Sequence, residues 1–171
     1  MDISEYARFE IEHSVWALGR LIEHARCLPA EAAERDMNIG PGPLRTNIAH
    51  TIEAMFFFAD CFAGKAYVEP TDFADLSKSF DGLRMLLDRA HKGLKETMLA
   101  SIARGLPEAV PWTGTDAGTM PAAAAISQVF DHATLHRAQC VNMLKRLGVT
   151  PVPDLDPMSF VASASRQQFA T

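Results

Sequence analysis

The chain has 171 residues, of which 48% are hydrophobic and 22% charged, and its formal net charge at pH 7 is −5. This length suits one domain, and the acidic balance argues against DNA or RNA as the main partner. The longest purely apolar run, residues 54–59, is too short to span a membrane. Met1 leads directly into Asp-Ile-Ser-Glu-Tyr, so we expect no signal peptide. Three scattered cysteines without a CxxC pattern favour a cytoplasmic protein with reduced thiols.

Helix signals dominate, and they predict four long helices. The predicted helices start at Asp2, Pro43, Asp72 and Pro121 and end at Pro29, Gly64, Gly105 and Gly148. The two Asp starts have an acidic residue three positions later, as in a capping box, and proline suits the first helical turn. Helices of these lengths predict an all-α fold, a four-helix bundle, as one domain over residues 1–171. A proline-broken tail follows from about residue 149.

Two connections are longer than ordinary loops between helices. They cover residues 29–43 and 106–121, and the second carries several Pro and Gly residues around Trp112. We predict that both form lids or pocket walls, and that the second can contain a short strand or turn. Phe57, Phe58 and either Trp16 or Trp112 are the predicted pocket walls.

The fourth predicted helix carries two histidines that are one turn apart. Its inward stripe alternates steps of three and four residues: Ile126, Val129, Ala133, His136, Cys140, Met143 and Leu147. His136 is therefore predicted in the core, and His132 lies on the edge of the same face. Two imidazoles at this spacing can converge on one cation. The alternative is one hydrogen-bonded core histidine and one exposed histidine. Cys140 is too far along the helix from His132 to share the ion and is predicted to be a core residue.

His50 adds a third imidazole on the second predicted helix. It lies in a row with Asn47, Ala54 and Cys61 on a helix that has almost no polar face. A buried imidazole needs partners for both ring nitrogens, so we expect His50 to face the pair on the fourth helix. Three neutral imidazoles would hold one divalent ion and leave positions open for substrate. Glu53 is predicted either to orient a ligand histidine or to lie at the solvent-facing rim.

The segments around these histidines resemble a known family. Asn47-Ile48-Ala49-His50-Thr51-Ile52-Glu53 resembles the second-helix signature of the DinB-like, or YfiT-like, metalloenzymes, and His132-Ala133-Thr134-Leu135-His136-Arg137-Ala138-Gln139 resembles their fourth-helix signature. The resemblance covers nearly the whole chain. Ala138 departs from the glycine that is common there, which bears on packing beside the site.

The resemblance implies a four-helix bundle with a divalent metal held by His50, His132 and His136. Zinc and nickel are the expected metals, with iron or manganese as alternatives. It also implies thiol-dependent S-transferase or isomerase activity that uses a low-molecular-weight thiol, although many relatives have no known activity. The residues themselves leave two other functions open, a metal-dependent hydrolase and a non-catalytic metal-binding helical module. For Arg137 the sequence allows a role in holding an anionic substrate group or a carboxylate of the protein, but an ion pair at the bundle surface is the commoner arrangement.

A di-iron carboxylate bundle is the main rival architecture. It needs two Glu-x-x-His pairs that face inward, and Glu10 with His13 fits this spacing. The second candidate pair, Asp88 with His91, is predicted on the polar face of the third helix, so this architecture is disfavoured. We predict that His24 and His91 are surface residues and that His13 is a packed, hydrogen-bonded histidine or a pocket residue.

The expected partners are a small-molecule substrate and a second copy of the chain. We expect neither nucleic acid nor a membrane as a partner. The tail carries apolar residues at 158–161 that have no obvious place in the bundle core, and they can dock on the same chain or on another copy. We therefore predict a homodimer, the commonest oligomer.

Overall fold

Four long helices form the body of the protein, as seen in a computed structural model that describes residues 2–112 and 118–168. The helices are α1 (Ile3–Ala25), α2 (Ala30–Ala33), α3 (Leu44–Phe62), α4 (Phe73–Leu76), α5 (Phe80–Ala103), α6 (Ala122–Arg146) and α7 (Pro157–Gln168), and the strands are β1 (Ala109–Trp112) and β2 (Gly118–Pro121). The predicted all-α four-helix bundle is confirmed. Residues 1, 113–117 and 169–171, which belong to the predicted domain and to the second long loop, lie outside the described residues.

The four long helices surround one apolar core. Helices α5 and α6 each pack against both α1 and α3, so the order around the bundle is α1, α5, α3, α6. The side chains of Leu18, Ile48, Leu87 and Met143, one from each helix, are completely buried. Burial of such apolar faces is the main favourable term in the folding free energy. No helix within the described residues has the length and apolar character needed to cross a membrane.

The third predicted helix is interrupted near its start, which corrects its predicted N-terminus at Asp72. The chain first forms the single turn α4, and α5 begins only after Ser79, whose side chain caps it by accepting a hydrogen bond from the Gly82 amide at 3.0 Å. Asp72 makes no capping bond and instead pairs with Arg89. A Cβ atom at Gly82 would lie 2.0 Å from the Leu76 carbonyl oxygen, so α4 approaches α5 too closely for any side chain there.

The second long connection contains an antiparallel hairpin. Strand β1 pairs with β2 in a register that joins Val110 to Met120 and Trp112 to Gly118. Strand β2 continues directly into α6, and the Ala122 amide donates a hydrogen bond to the Glu108 carbonyl oxygen at 3.1 Å. The hairpin is thereby fixed to the start of the helix that carries two of the three histidines.

The C-terminal tail ends in a helix that the proline pattern did not predict. Phe160 of α7 packs against α1, with its ring centroid 5.7 Å from that of Phe9 and 5.5 Å from that of Trp16. The tail therefore docks on its own chain through Phe160. Met158 and Val161 remain exposed.

Candidate metal centre

Three histidine side chains converge between α3 and α6. His50 lies in the middle of α3, and His132 and His136 lie one turn apart on α6. The ring centroids are separated by 4.9 Å for His50 and His132, 4.8 Å for His50 and His136, and 4.4 Å for His132 and His136. The structure thus brings together the three residues that the sequence singled out.

The spacing of the imidazole nitrogens fits a shared ion. One ring nitrogen from each histidine can be chosen so that all three lie within 4.8 Å of one another. Three nitrogens bound at about 2.1 Å in tetrahedral geometry are about 3.4 Å apart, so a contraction of at most about 1.4 Å in these distances completes the set. The buried Nε2 of His132 has no hydrogen-bond partner among the described residues. A buried imidazole nitrogen without a hydrogen-bond partner in the protein is expected at a position where a metal ion binds.

Burial keeps the three imidazoles neutral. Burial lowers the pKa of His50, of His136 and of His132, the last to about 4. Neighbouring imidazoles make smaller contributions that lower the pKa of His132 and of His136 further. A neutral imidazole has the free lone pair that a metal ion requires. The site is therefore prepared to act as a set of nitrogen donors at neutral pH.

Asn47 lies directly behind His136. Its Oδ1 atom is 3.2 Å from His136 Nδ1, and its Nδ2 atom donates to the carbonyl oxygens of Ile39 at 3.0 Å and Gly42 at 2.9 Å. Asn47 is completely buried. The first long connection thus reaches the site from behind, through Asn47, and is not a lid over it.

An apolar cavity of about 230 Å³ opens beside the histidines. Its lining consists of two histidines and residues from α3, α6, β1 and the segment after α3: His50, Glu53, Ala54, Phe57, Phe58, Tyr67, Trp112, Gln128 and His132. The predicted walls Phe57, Phe58 and Trp112 are confirmed, and the hairpin is a pocket wall as expected. Trp16 is not in this lining, and that alternative was wrong because its ring packs against Phe160.

Glu53 lies in the cavity wall, and its hydrogen-bond partner among the described residues is Tyr67 and not one of the three histidines, whose orientation was one of its two predicted roles. Its carboxylate accepts a hydrogen bond from the Tyr67 hydroxyl at 3.4 Å. Burial and the nearby Glu69 raise the pKa of Glu53. A carboxyl group with a raised pKa that shares a cavity with two of the three histidines is suited to exchanging a proton with a bound molecule.

Arg137 faces away from the cavity. It is 5% exposed and donates hydrogen bonds to Ser14 Oγ and Thr134 Oγ1, both at 2.9 Å. The predicted ion pair at the bundle surface was wrong, because the side chain turns inward against α1. Arg137 is also absent from the lining of the cavity, so nothing in the described geometry supports a role for it beside the histidines.

The remaining candidate residues have structural roles. Cys140 is buried, and burial raises the pKa of its thiol to about 12, as expected for a core residue. His13 is buried and donates from Nε2 to the Leu155 carbonyl oxygen at 2.8 Å. His24 contacts the Arg20 carbonyl oxygen within its own helix. These residues lie outside the group of three histidines.

His91 and Glu12 form a contact between α5 and α1. His91 Nε2 lies 3.2 Å from a Glu12 carboxylate oxygen. His91 therefore belongs to the partly buried outer side of the bundle, and the prediction that it does not join an inward di-iron site agrees with this position.

The sequence analysis did not identify Asn47 as a hydrogen-bond partner of His136. An amide on the inward face of an apolar helix, one turn before a histidine, was the available signal. Gln139 was missed as well: its buried Oε1 has no partner among the described residues, and it lies near Asn47 around Gly40. A polar residue three positions after His136 gives the same kind of signal.

The comparisons with known proteins agree with this geometry. A family model described as DinB family matches residues 9–166, which include all three histidines. No curated protein matches the sequence.

Proposed function

The chain belongs to the DinB family, and from this premise and the three convergent imidazoles we propose that it is a divalent-metal-dependent enzyme. The proposed activity is that of a thiol-dependent S-transferase or isomerase, in which a low-molecular-weight thiol reacts with a small electrophile. Zinc or nickel is the proposed metal, since three neutral nitrogen donors suit both. His50, His132 and His136 are the proposed ligands.

The observation that carries the proposal is the open geometry of the histidine set. Three protein ligands leave coordination positions free, which is the arrangement of catalytic and not of structural zinc sites. His50 and His132 line the cavity, so the free positions face a space that a substrate can enter. A divalent ion held there would supply the positive charge that lowers the pKa of a thiol or water ligand toward neutrality.

The chain's own residues would supply orientation, proton transfer and exclusion of water. The Glu53 carboxylate is the proposed acceptor for the thiol proton, because it is the carboxyl group in the cavity lining. The rings of Phe57 and Trp112, whose centroids are 5.2 Å apart, would exclude water from the reacting groups. Asn47 would hold the His136 ring in place.

The test is a comparison of metal-loaded and chelated protein. Protein purified without a metal-affinity column is first analysed for bound elements. It is then assayed with a panel of small thiols against halogenated and epoxide electrophiles. We expect product only when thiol and metal are both present, and loss of activity in His132→Gln. The matched control is His24→Gln, because His24 lies on α1 outside the group of three histidines, and this variant should keep full activity.

Two outcomes would replace this proposal. Metal-dependent ester or amide hydrolysis without a thiol requirement would make the protein a hydrolase. A bound ion that cannot be removed without unfolding, together with no turnover in either assay, would make it a non-catalytic metal-binding module. Reactions that proceed equally well in chelated protein would refute metal dependence.

A cytoplasmic location is part of the same proposal. Cys27, Cys61 and Cys140 are all unpaired, and reduced cysteines are typical of the cytosol. A small thiol as co-substrate is also abundant in a reducing compartment.

A further inference from the structure

The cavity beside the histidines is small and bounded mainly by aromatic rings. Phe57 lies at the centre of the wall, with ring centroids 5.2 Å from Phe58, 5.6 Å from Tyr67 and 5.2 Å from Trp112. All three contacts are edge-to-face, so the rings brace one another in a fixed arrangement. The volume of about 230 Å³ is below the range of about 300–1,000 Å³ that is usual for drug-sized ligands. A molecule with one aromatic ring or a short apolar chain fits such a space.

The charged side chains described in and near the cavity wall are acidic. The described lining contains Glu53 but no lysine or arginine. Glu69 is close enough to Glu53 to raise its pKa. Arg137, the buried cation of α6, donates to Ser14 on the other side of that helix.

An anionic substrate would therefore meet no lysine or arginine in the part of the lining that the structure describes. A carboxylate or phosphate moved into apolar surroundings loses its hydration, and only a paired cation or several donors compensate for that loss. A metal ion at the histidines would accept one anionic donor, which in the proposed function is the thiol. For a second negative group the described lining offers no lysine or arginine and only neutral donors, on Tyr67, Trp112 and Gln128.

We infer that the electrophilic substrate of this site is a small, uncharged aromatic or apolar molecule, and that the protein discriminates against carboxylate- and phosphate-bearing analogues. This rests on the proposed function only in calling the bound molecule a substrate. The preference itself follows from the aromatic wall and from the absence of a basic residue in the described lining.

A matched pair of probes tests the inference without any turnover. Para-nitrobenzyl alcohol and para-nitrobenzoate have the same ring but differ in charge, and the nitro group quenches tryptophan fluorescence. The chain has two tryptophans, so the measurement uses Trp16→Phe, which leaves Trp112 in the cavity wall as the reporter. Calorimetric titration of the wild-type chain repeats the measurement if this variant does not fold.

We expect the alcohol to bind at least about tenfold more tightly than the benzoate in metal-free protein. Phe57→Ala should weaken binding of the alcohol about tenfold. Glu53→Gln should reduce the difference between the two probes, because it removes the acidic group nearest the bound ring. Glu96→Gln, on the exposed face of α5, is the matched control and leaves both affinities unchanged.

Equal or tighter binding of the benzoate to metal-free protein would overturn the inference, as would failure of the alcohol to bind. The same titrations on zinc-loaded protein separate this result from the proposed function. If the wild-type chain binds no divalent ion at the histidines, the proposed function fails, whereas the preference for the uncharged probe is measured independently.

Discussion

Asn47 and His136 are joined by a hydrogen bond whose direction is set by the other bonds of the asparagine amide. Nδ2 of Asn47 donates to two backbone carbonyl oxygens, so Oδ1 is the atom that faces His136. An amide oxygen can only accept, and the proton of the His136 ring is therefore on Nδ1. This leaves the lone pair on Nε2 for a metal ion, which is how hydrogen bonds to ligand histidines usually select the tautomer.

Loss of this bond should weaken metal binding. We expect Asn47→Ala to lower the affinity for zinc by about 10–100-fold, because the His136 ring loses its fixed orientation and tautomer. Competition with a chromophoric chelator measures the affinity. Nitrogen NMR of the metal-free variant should show a mixture of His136 tautomers, where the wild type shows the Nδ1–H form. Asn142→Ala on the exposed side of α6 is the control, and equal zinc affinity in both variants would contradict the assignment.

The three histidines should act as one ligand set. We expect His50→Ala, His132→Ala and His136→Ala each to lose most of the bound metal, since two imidazoles hold a divalent ion much less tightly than three. Elemental analysis of protein purified without a metal-affinity column measures the content. His24→Ala and His91→Ala should retain the wild-type content. Full retention by any of the three triad variants would exclude that residue as a ligand.

Gly40 should be sensitive to substitution for two separate reasons. Its φ of +64° disfavours any side chain, and a Cβ atom there would lie 2.4 Å from Gln139 Oε1 and 2.6 Å from Asn47 Oδ1. Gly64→Ala is the matched control, because Gly64 has a φ of +73° but no atom within 4 Å of an added Cβ. We expect Gly64→Ala to lower the free energy of unfolding by about 1 kcal/mol and Gly40→Ala by at least about 2 kcal/mol.

Zinc affinity distinguishes the two glycine variants further. Gly40→Ala should weaken it, because the added methyl group displaces the Asn47 side chain from His136. Gly64→Ala should leave it unchanged. If the two variants lose the same free energy of unfolding in urea titrations, the close approach around Gly40 is not energetically important.

The metal-free protein should lose stability as the pH falls through the range in which the unfolded histidines become protonated. The pKa of His132 is lowered from 6.5 to about 4 by burial, so between these values the unfolded state binds a proton that the folded state does not. Stability from this group is therefore complete above pH 6.5 and decreases toward pH 4, by at most about 1.4 kcal/mol per pH unit. Urea unfolding at several pH values measures the slope.

The raised pKa of Glu53 has the opposite effect, because it stabilises the folded state as the pH falls. The contribution of His132 is therefore measured by comparing the wild type with a His132 variant. His132→Gln should reduce the slope between pH 4 and 6.5 relative to the wild type, whereas His24→Gln should not reduce it. Identical slopes in wild type and His132→Gln would show that the His132 ring is protonated in the folded state as readily as in water.

The predicted homodimer can be tested on the outer surface of α1 and α7. Phe9, Met158 and Val161 are 36%, 75% and 44% exposed, and burial of these side chains would favour association. We expect light scattering at micromolar concentration to give twice the chain mass of 18.7 kDa, and Met158→Lys to shift it toward the monomer. A wild-type mass of one chain would refute the prediction.

The sequence was sufficient to predict the bundle and the convergence of the three histidines because both depend on helical periodicity. The three-four spacing that buries Val129, Ala133 and Cys140 also orients His136 inward, so core and site follow from one pattern. The break before α5 could not be predicted in this way, because it depends on the contact between Gly82 and the Leu76 carbonyl oxygen. The direction of Arg137 depends on Ser14, a residue 123 positions away whose proximity only the folded chain provides.

The three histidines and one ring of the aromatic wall come from different parts of the chain. His132 and His136 are in the body of α6, whereas Trp112 comes from the hairpin that precedes this helix. A substitution of Trp112 would therefore alter the wall of the cavity while the three histidines keep their positions. The shape of the cavity can thus change through the hairpin without a change in the two helices that carry the histidines.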